Sequence, residues 1–387
     1  MAGIYIHIPF CKQACYYCDF HFSTSLKNKL SFLKALEKEI ALRKDFFLHE
    51  KTTNKKIDTI YFGGGTPSML EVSELMGIFE ILHKYFEIDK HAEITLEANP
   101  DDLSIQKLRD LKATPLNRLS IGIQSFYDED LHLMNRAHNA KEALTVVQHA
   151  QDNDFNNISI DLIYGIPTLT HQHWEQNLRR AFDLDVKHIS AYCLTVEPKT
   201  ALDKLIATGK IKNVDEQHSS EQFEMMLKEM KSNDFQQYEI SNFCKDQFYS
   251  RHNSNYWLKE NYLGLGPSAH SYNGRVRQWN VANNAKYIRA LENNLTLDSE
   301  NALFEQETLT LYQRYNEYVL TSLRTIWGTD LNYIKQQFGD DFYTHCLKET
   351  QPYFLRDQIR RENDCLFLSD AGKLFADKIS SDLFITP

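Results

Sequence analysis

From residue 3 to about 195, short apolar runs alternate with amphipathic segments. The stretch "GIYIHI" (3–8) reads as a strand. In "KLSFLKALEKEIALRKDFF" (29–47), Phe32, Leu33, Leu36 and Ile40 fall at helical spacing. The strand "KIDTIYF" runs into "GGGTP" and is followed by the helix "EVSELMGIFEILHKYF". The strand "AEITLEANP" comes next, with a helix near "SIQKLRDL". After "RLSIGIQS" come helices at "DEDLHLM" and "KEALTVVQHAQDN". The strand "NISIDLIYGIP", the helix "HQHWEQNLRRAFDL" and a sixth strand, "HISAYCLT", complete the series. Six strands with helices between them imply an α/β fold, a parallel sheet covered by helices. Chemistry-capable residues end nearly every strand, so the expected form is an incomplete parallel (β/α)6 barrel.

Beyond this barrel core (1–195) the pattern changes. Residues 196–299 hold a long helical stretch, "DEQHSSEQFEMMLKEMKSND", and then a polar-aromatic passage from "YEISNFC" to "GRVRQW", expected to complete the barrel. From 300 to 387 the pattern is again helix-rich, and near its end "CLFL" gives way at Ser369 to a capped helix. This predicts a small, mainly helical, winged-helix-like domain. It lacks a basic face, which favours an interaction or lid role over DNA binding.

Composition narrows the function. The 387 residues are 42% hydrophobic, ample for more than one domain, and the formal net charge is −10. With no run of five basic residues, a nucleic-acid surface is not expected. No apolar stretch reaches the roughly 18 residues of a membrane span, and "MAGIYIHIPF" is neither an export nor a transit signal, so a cytoplasmic location is expected. Seven cysteines, three clustered and Cys193, Cys244, Cys346 and Cys365 scattered, do not resemble a disulfide framework.

The cluster is "CKQACYYCDF", with Cys11, Cys15 and Cys18 followed by Phe20. Structural zinc would want a fourth ligand, for which only His21 is near. A dithiol of Cys15 and Cys18 would leave Cys11 unexplained. A [4Fe–4S] cluster with one iron lacking a cysteine accounts for all three thiols. Two contextual features favour the last reading. The loop follows the first barrel strand, where active-site loops belong, and the next strand delivers three glycines that let backbone approach a ligand.

The CxxxCxxC spacing after "YIHIPFC", with "YFGGGTP", "LEANPDDL", "RLSIGIQSF", "NRAHN" and "SIDLIYGIP", resembles the radical S-adenosylmethionine (SAM) superfamily. More narrowly it resembles the branch of the oxygen-independent coproporphyrinogen III oxidases (HemN) and the related heme chaperones (HemW). The likeness runs along essentially the whole chain. It implies that SAM chelates the open iron through its amino and carboxylate groups. One electron then cleaves its carbon–sulfur bond to give methionine and a 5′-deoxyadenosyl radical. It further implies a backbone cradle at Gly64, Gly65 and Thr66, an ammonium acceptor at Glu97 and a carboxylate fork at Arg136. Gln124 and Asp161 match partners of the ribose, Tyr17 an aromatic on the adenine, and Tyr5 a tyrosine near the sulfonium.

Three features separate chaperone from oxidase within this resemblance. The cluster strand starts at Gly3, so the oxidases' N-terminal cover is not expected. Phe20 stands where the oxidases carry a further cysteine. "RHNSNYW" (251–257) matches the HNxxYW motif associated with heme in the HemW group. There His252 is a candidate iron ligand, Tyr256 and Trp257 can stack on a porphyrin, and Arg251 and Lys259 can pair with propionates. His270 in "GLGPSAH" is a second candidate. The resemblance thus implies a chaperone that takes up heme and passes it to an unidentified acceptor, as monomer or dimer. A flavodoxin, a ferredoxin or a reduced nicotinamide system would supply the electron. The alternative is coproporphyrinogen III oxidation, which would make the protein an enzyme of porphyrin biosynthesis.

Overall fold

The computed structural model describes residues 2–47, 56–293 and 303–386. Six strands follow one another in the sheet: β1 (Ala2–Ile8), β2 (Ile57–Gly64), β3 (Ile88–Ala98), β4 (Arg118–Gln124), β5 (Ile158–Tyr164) and β6 (His188–Cys193). All five neighbouring pairs are parallel. The crossovers carry α1 (Lys29–Leu42), α2 (Val72–Tyr85), α3 (Ile105–Lys112), α4 (Asp128–Leu133), α5 (Ala140–Asp152) and α6 (His171–Asp183). The α/β reading therefore holds for the barrel core. Helix α1 stops at Leu42 rather than continuing to Phe47. Arg43 turns inward there, its guanidinium lying 4.4 Å from the centre of the Phe304 ring.

After β6 come α7 (Ala201–Ala207) and α8 (Glu216–Ser232), then the antiparallel pair β7 (Gln236–Glu239) and β8 (Asn242–Cys244) beside β6. Helix α9 (Arg251–Trp257) precedes β9 (Asn261–Leu265), which pairs parallel with the far side of β1. Strands β10 (His270–Tyr272), β11 (Val276–Asn280) and β12 (Phe304–Thr308) extend that edge, with α10 (Asn284–Glu292) between the last two. Among the described residues the sheet has twelve strands and stays open, with β12 at one edge and β7 at the other. The expected boundary at 299/300 lies outside the described residues.

A second, smaller core follows, running from Tyr315 to Leu383. It joins α11 (Leu311–Leu323), β13 (Thr329–Asp330), α12 (Leu331–Phe338), α13 (Asp340–Phe354), β14 (Ile359–Glu362) and β15 (Cys365–Leu368). The three strands pair in the order β13-β15-β14, a winged-helix-like arrangement. Ser369 caps α14 (Asp370–Lys373), and α15 (Ala376–Asp382) packs back on α11. Among the described residues, no helix is long and apolar enough to cross a membrane.

Strand register decides what the barrel encloses. Tyr5 and His7 stand beside Tyr61 and Gly63, Thr59 beside Glu93, Glu97 beside Ser120 and Asp161 beside Ser190. In-register neighbours share a face, and this face is mostly polar. The alternate positions, among them Ile4, Ile6, Ile60, Phe62, Leu96, Leu119 and Ile160, form the apolar layer under the helices. A parallel barrel normally fills its interior with branched apolar side chains. Here the lumen holds carboxyls, hydroxyls and rings, which is costly unless they are bonded to one another or to a ligand.

Candidate functional site

The cysteine loop is closed at its neck by Cys11 N–H to Ser23 O (3.0 Å) and Ser23 N–H to Pro9 O (2.9 Å). Its far side is held by the segment after α4. Tyr16 N–H donates to Met134 O (3.1 Å), and Asn135, in the left-handed region at φ 56°, donates from Nδ2 to Ala14 O (2.7 Å). This tether brings Arg136 against the loop, where Nη1 donates to Cys15 Sγ (3.3 Å) and to Tyr17 Oη (3.4 Å). Its Nη2 donates to Asn99 Oδ1 (2.6 Å) and Gly122 O (2.9 Å). Asn99 in turn donates to Thr66 Oγ1 (3.4 Å), and the Thr66 hydroxyl reaches the Cys11 thiol. A bonded chain thus runs from Cys15 through Arg136, Asn99 and Thr66 to Cys11.

Burial pushes the Cys11 thiol up to about 11 and the Cys18 thiol up to about 12. These two buried thiols are neutral until a cation draws them into ionisation. His21 has its Nε2 bonded to Asn284 Oδ1 at 2.7 Å. Phe20 is 68% exposed and takes no part in the loop's interior.

In the glycine turn the backbone amides are already engaged. The Gly64, Gly65 and Thr66 amides donate respectively to Glu97 Oε2 (3.2 Å), Ile8 O (2.9 Å) and Phe10 O (2.7 Å). Their engagement leaves the turn carbonyl oxygen to offer. Gly64 has φ +106°, and a Cβ at Gly65 would lie 2.7 Å from Phe10 O. The glycines are therefore required first by the close approach of the cysteine strand.

Glu97 accepts from Tyr61 Oη at 2.8 Å as well as from Gly64. Burial raises its carboxyl to about 7 against the opposing Tyr61 bond, with further upward pressure from Asp161. Asp161 is raised to about 6, again chiefly by burial, although Ser190, Arg118, Arg136 and Ser120 pull it down. Two lumen carboxyls are thus poised to ionise when a cation arrives. Gln124, at φ 67°, turns back into the lumen with its Oε1 buried and unbonded; the Arg136 Nε is in the same condition. Both are free capacity in the lumen, the Arg136 side chain lying against Cys15. Arg136 is less open than expected, since Nη1 and Nη2 already hold protein partners.

Tyr5 lies lower, stacked on Tyr61 with ring centres 6.2 Å apart and bonded to His7 Nδ1 at 3.3 Å. Below it is His252. This ring is 1% exposed, with Nδ1 on Thr59 Oγ1 and Nε2 on Tyr256 Oη, both at 2.8 Å. Its amide donates to Glu93 Oε1 at 3.0 Å. Burial drops its imidazole to about 3, so it is neutral. His252 therefore plugs the N-terminal end of the barrel, opposite the cysteines. Thr59 and Gly64 are five positions apart on β2, roughly 16 Å at about 3.3 Å per residue. An iron could reach the ring only after the Thr59 or Tyr256 bond opened.

The rest of the motif faces the C-terminal region. The Arg324 guanidinium lies 5.6 Å from the Trp257 ring, and Lys259 donates to Arg314 O (3.0 Å) over the Tyr318 ring. Arg251 is bonded to His91 O (2.7 Å), and His270 is exposed on β10. Sequence reasoning missed Asn99, Tyr61, Gly122, Arg118 and Ser190. The signal for the strand residues was the two-residue alternation that sets them on the face of Tyr5 and Asp161.

Comparison with known proteins bears on this site. The model of the Radical SAM superfamily matches residues 5–181, from Tyr5 to α6. The chain is 33% identical to the heme chaperone HemW of Bacillus subtilis (strain 168), over 98% of each chain. It is 30% identical to the heme chaperone HemW of Haemophilus influenzae, covering 99% of this chain and 98% of that one. Among solved structures, coproporphyrinogen III oxidase (HemN) from Escherichia coli superposes with a TM-score of 0.83. That match covers 99% of this chain and 90% of the other at 23% identity, a likeness of fold.

Proposed function

The chain belongs to the radical SAM superfamily, in the branch of HemN and HemW, and from that premise we propose that it is a heme chaperone of the HemW type. On this reading it takes up heme and hands it to an acceptor in the cytoplasm, with a [4Fe–4S] cluster and SAM governing the transfer. The observation that supports it most is the bonded chain from Cys15 through Arg136, Asn99 and Thr66 to Cys11. That chain fixes two of three cluster thiols and leaves unbonded polar atoms beside them.

Cys11, Cys15 and Cys18 would hold three of the irons. When bound, cluster and SAM supply one-electron cleavage of a sulfonium carbon–sulfur bond. The chain's own residues prepare the place. Arg136 places a fixed positive charge beside Cys15, donating to its Sγ. Glu97 and the turn carbonyls accept the ammonium, and Gln124 and Asp161 serve the ribose. Tyr17, bonded to Arg136, covers the adenine. The electron comes from a flavodoxin, a ferredoxin or a reduced nicotinamide system.

The test is anaerobic reconstitution with iron and sulfide, followed by SAM and then hemin. The expected outcome is a cluster absorption that responds to SAM and is abolished in Cys15→Ala, together with saturable hemin uptake. Protoporphyrinogen formed from added coproporphyrinogen would overturn the chaperone reading in favour of the oxidase.

A further inference from the structure

Outside the lumen, the helical layer carries a cluster of ligand-type side chains that the cysteine loop does not use. His171 opens α6, and His218 and Glu221 lie three positions apart on α8. Positions i and i+3 share a helix face, so His218 and Glu221 look toward the same neighbour. That neighbour is α6, which packs on α8 just beyond the loop that follows β5. One ligand atom from each of the three side chains lies within 4.8 Å of the other two. Bonds from zinc to imidazole nitrogen or carboxylate oxygen run about 2.0–2.2 Å, which puts two ligand atoms at most about 4.4 Å apart. A small turn of these side chains closes them on one ion.

The surroundings already orient the set. Thr170 caps α6 by accepting from the His173 amide, which fixes where His171 emerges. The His218 ring is held from behind, its Nε2 donating to Leu169 O at 2.8 Å. An imidazole whose far nitrogen donates to a backbone carbonyl offers the lone pair of the near one, the usual support of a metal-bound histidine. Gln222 Nε2, 3.0 Å from His218 Nε2, donates to the same carbonyl at 2.9 Å. Gln222 is itself fixed, its Oε1 accepting from Gly165 N–H at 2.7 Å. Trp174 Nε1 donates to Gln222 O at 2.9 Å and locks α6 to α8.

His171 Nε2 lies 2.9 Å from Glu221 Oε2, while its Nδ1 is buried without a partner. The His171 and His218 rings stack with centres 4.4 Å apart. A plain histidine–glutamate contact accounts for the first of these observations only. Two imidazoles and one carboxylate are the His2Glu set that holds zinc with a fourth position open to water. Glu221 also brings the negative charge that offsets the positive ends of the two helices.

We propose that His171, His218 and Glu221 bind one divalent transition-metal ion of the zinc class, pinning α8 to the start of α6. The site shares no residue and no thiol with the cysteine loop, and it does not rest on the chaperone reading. Its mechanical consequence reaches the lumen. Gly165 and Leu169 belong to the loop leaving β5, the strand that carries Asp161. An ion on His218 would steady that loop through Leu169 and Gln222.

The experiment titrates the full chain, reconstituted with its cluster, with cobalt(II) and then zinc(II) chloride. Binding is read by visible absorption and by thermal unfolding. Cobalt held by nitrogen and oxygen gives weak d–d bands, whereas cobalt on the cysteine loop adds an intense thiolate charge-transfer band. Wild type should saturate at one ion per chain without that band, release cobalt to zinc, and unfold at a higher temperature with metal bound. His171→Ala, His218→Ala and Glu221→Gln should each weaken binding more than about tenfold and abolish the thermal shift, with cluster content unchanged. The Glu221 side chain is 49% exposed, so Glu221→Gln keeps the fold even where a histidine change disturbs it. Equal affinity in wild type and Glu221→Gln, a thiolate band as the only signal, or uptake that does not saturate would overturn the site. The readout uses neither hemin nor SAM, so that failure leaves the proposed chaperone function standing.

Discussion

At the floor of the barrel, Thr59, Glu93, Tyr256 and His252 bond one another. At the mouth, Glu97, Asp161, Gln124 and Arg136 stand on the same polar face yet retain raised carboxyls and unbonded atoms. Both regions bury polar chemistry in one lumen. The floor makes most of its bonds within the protein and so contributes to stability, whereas the mouth defers some of them to a ligand. A motif's residue types alone do not tell which end it serves. His252 has the chemistry of an iron ligand and the surroundings of a strut.

The largest expected effect tests that division at the floor. His252→Ala removes a stacked ring and two side-chain hydrogen bonds, and should cost about 3 kcal/mol in denaturant unfolding. Hemin affinity per folded molecule should be unchanged. Lost affinity at full stability would make the ring a ligand after all.

Next in size is the mouth. Glu97 ionises near 7, so SAM affinity should rise from about pH 6 to about pH 8 as the acceptor for its ammonium becomes charged. The same raised value keeps the proton in the ligand-free fold. Its penalty on stability therefore grows as pH climbs from the unfolded value of 4.5 to about 7, and a bound cation relieves it. Glu97→Gln should weaken SAM binding about tenfold at the upper pH and flatten the profile, measured by calorimetry. An unaltered pH slope would remove Glu97 from the site.

The smallest effect sharpens the picture around Gln124. A Cβ at Gly122 would lie 2.9 Å from Gln124 Nε2 and 3.2 Å from Arg136 Nη2, both ends of movable side chains. Gly122→Ala should displace them at a cost on the order of 1 kcal/mol, a few-fold in SAM affinity, with cluster content intact. Unchanged affinity would show that Gln124 does not touch the ligand.

Much of this was legible in the chain. Six strands and their crossovers followed from period and the cysteines stood out by spacing, whereas Glu97 and Asp161 were implied by the family resemblance. The alternation in "GIYIHI" and "RLSIGIQ" also contained the polar lumen, with Tyr5, His7 and Ser120 between buried isoleucines and leucines. Other features depend on distant partners. Asn99 acquires its role from Arg136, 37 positions later, and β9 pairs with β1 across more than half the chain. His252 and Tyr256 share a helical face at i, i+4, which signals a bonded pair, but the chain gives no sign that this face turns inward.

The turn at Gly64–Thr66 has a consequence for selection among metabolites. Nucleotide-binding glycine loops grip phosphate because their amides point outward; here those donors are folded into the neighbouring strand and loop. A surface of oxygen lone pairs welcomes a positively charged amino acid and repels a polyphosphate. On the proposed reading, a triphosphate such as ATP would thereby be turned away by electrostatics at the edge offered to the ammonium of SAM.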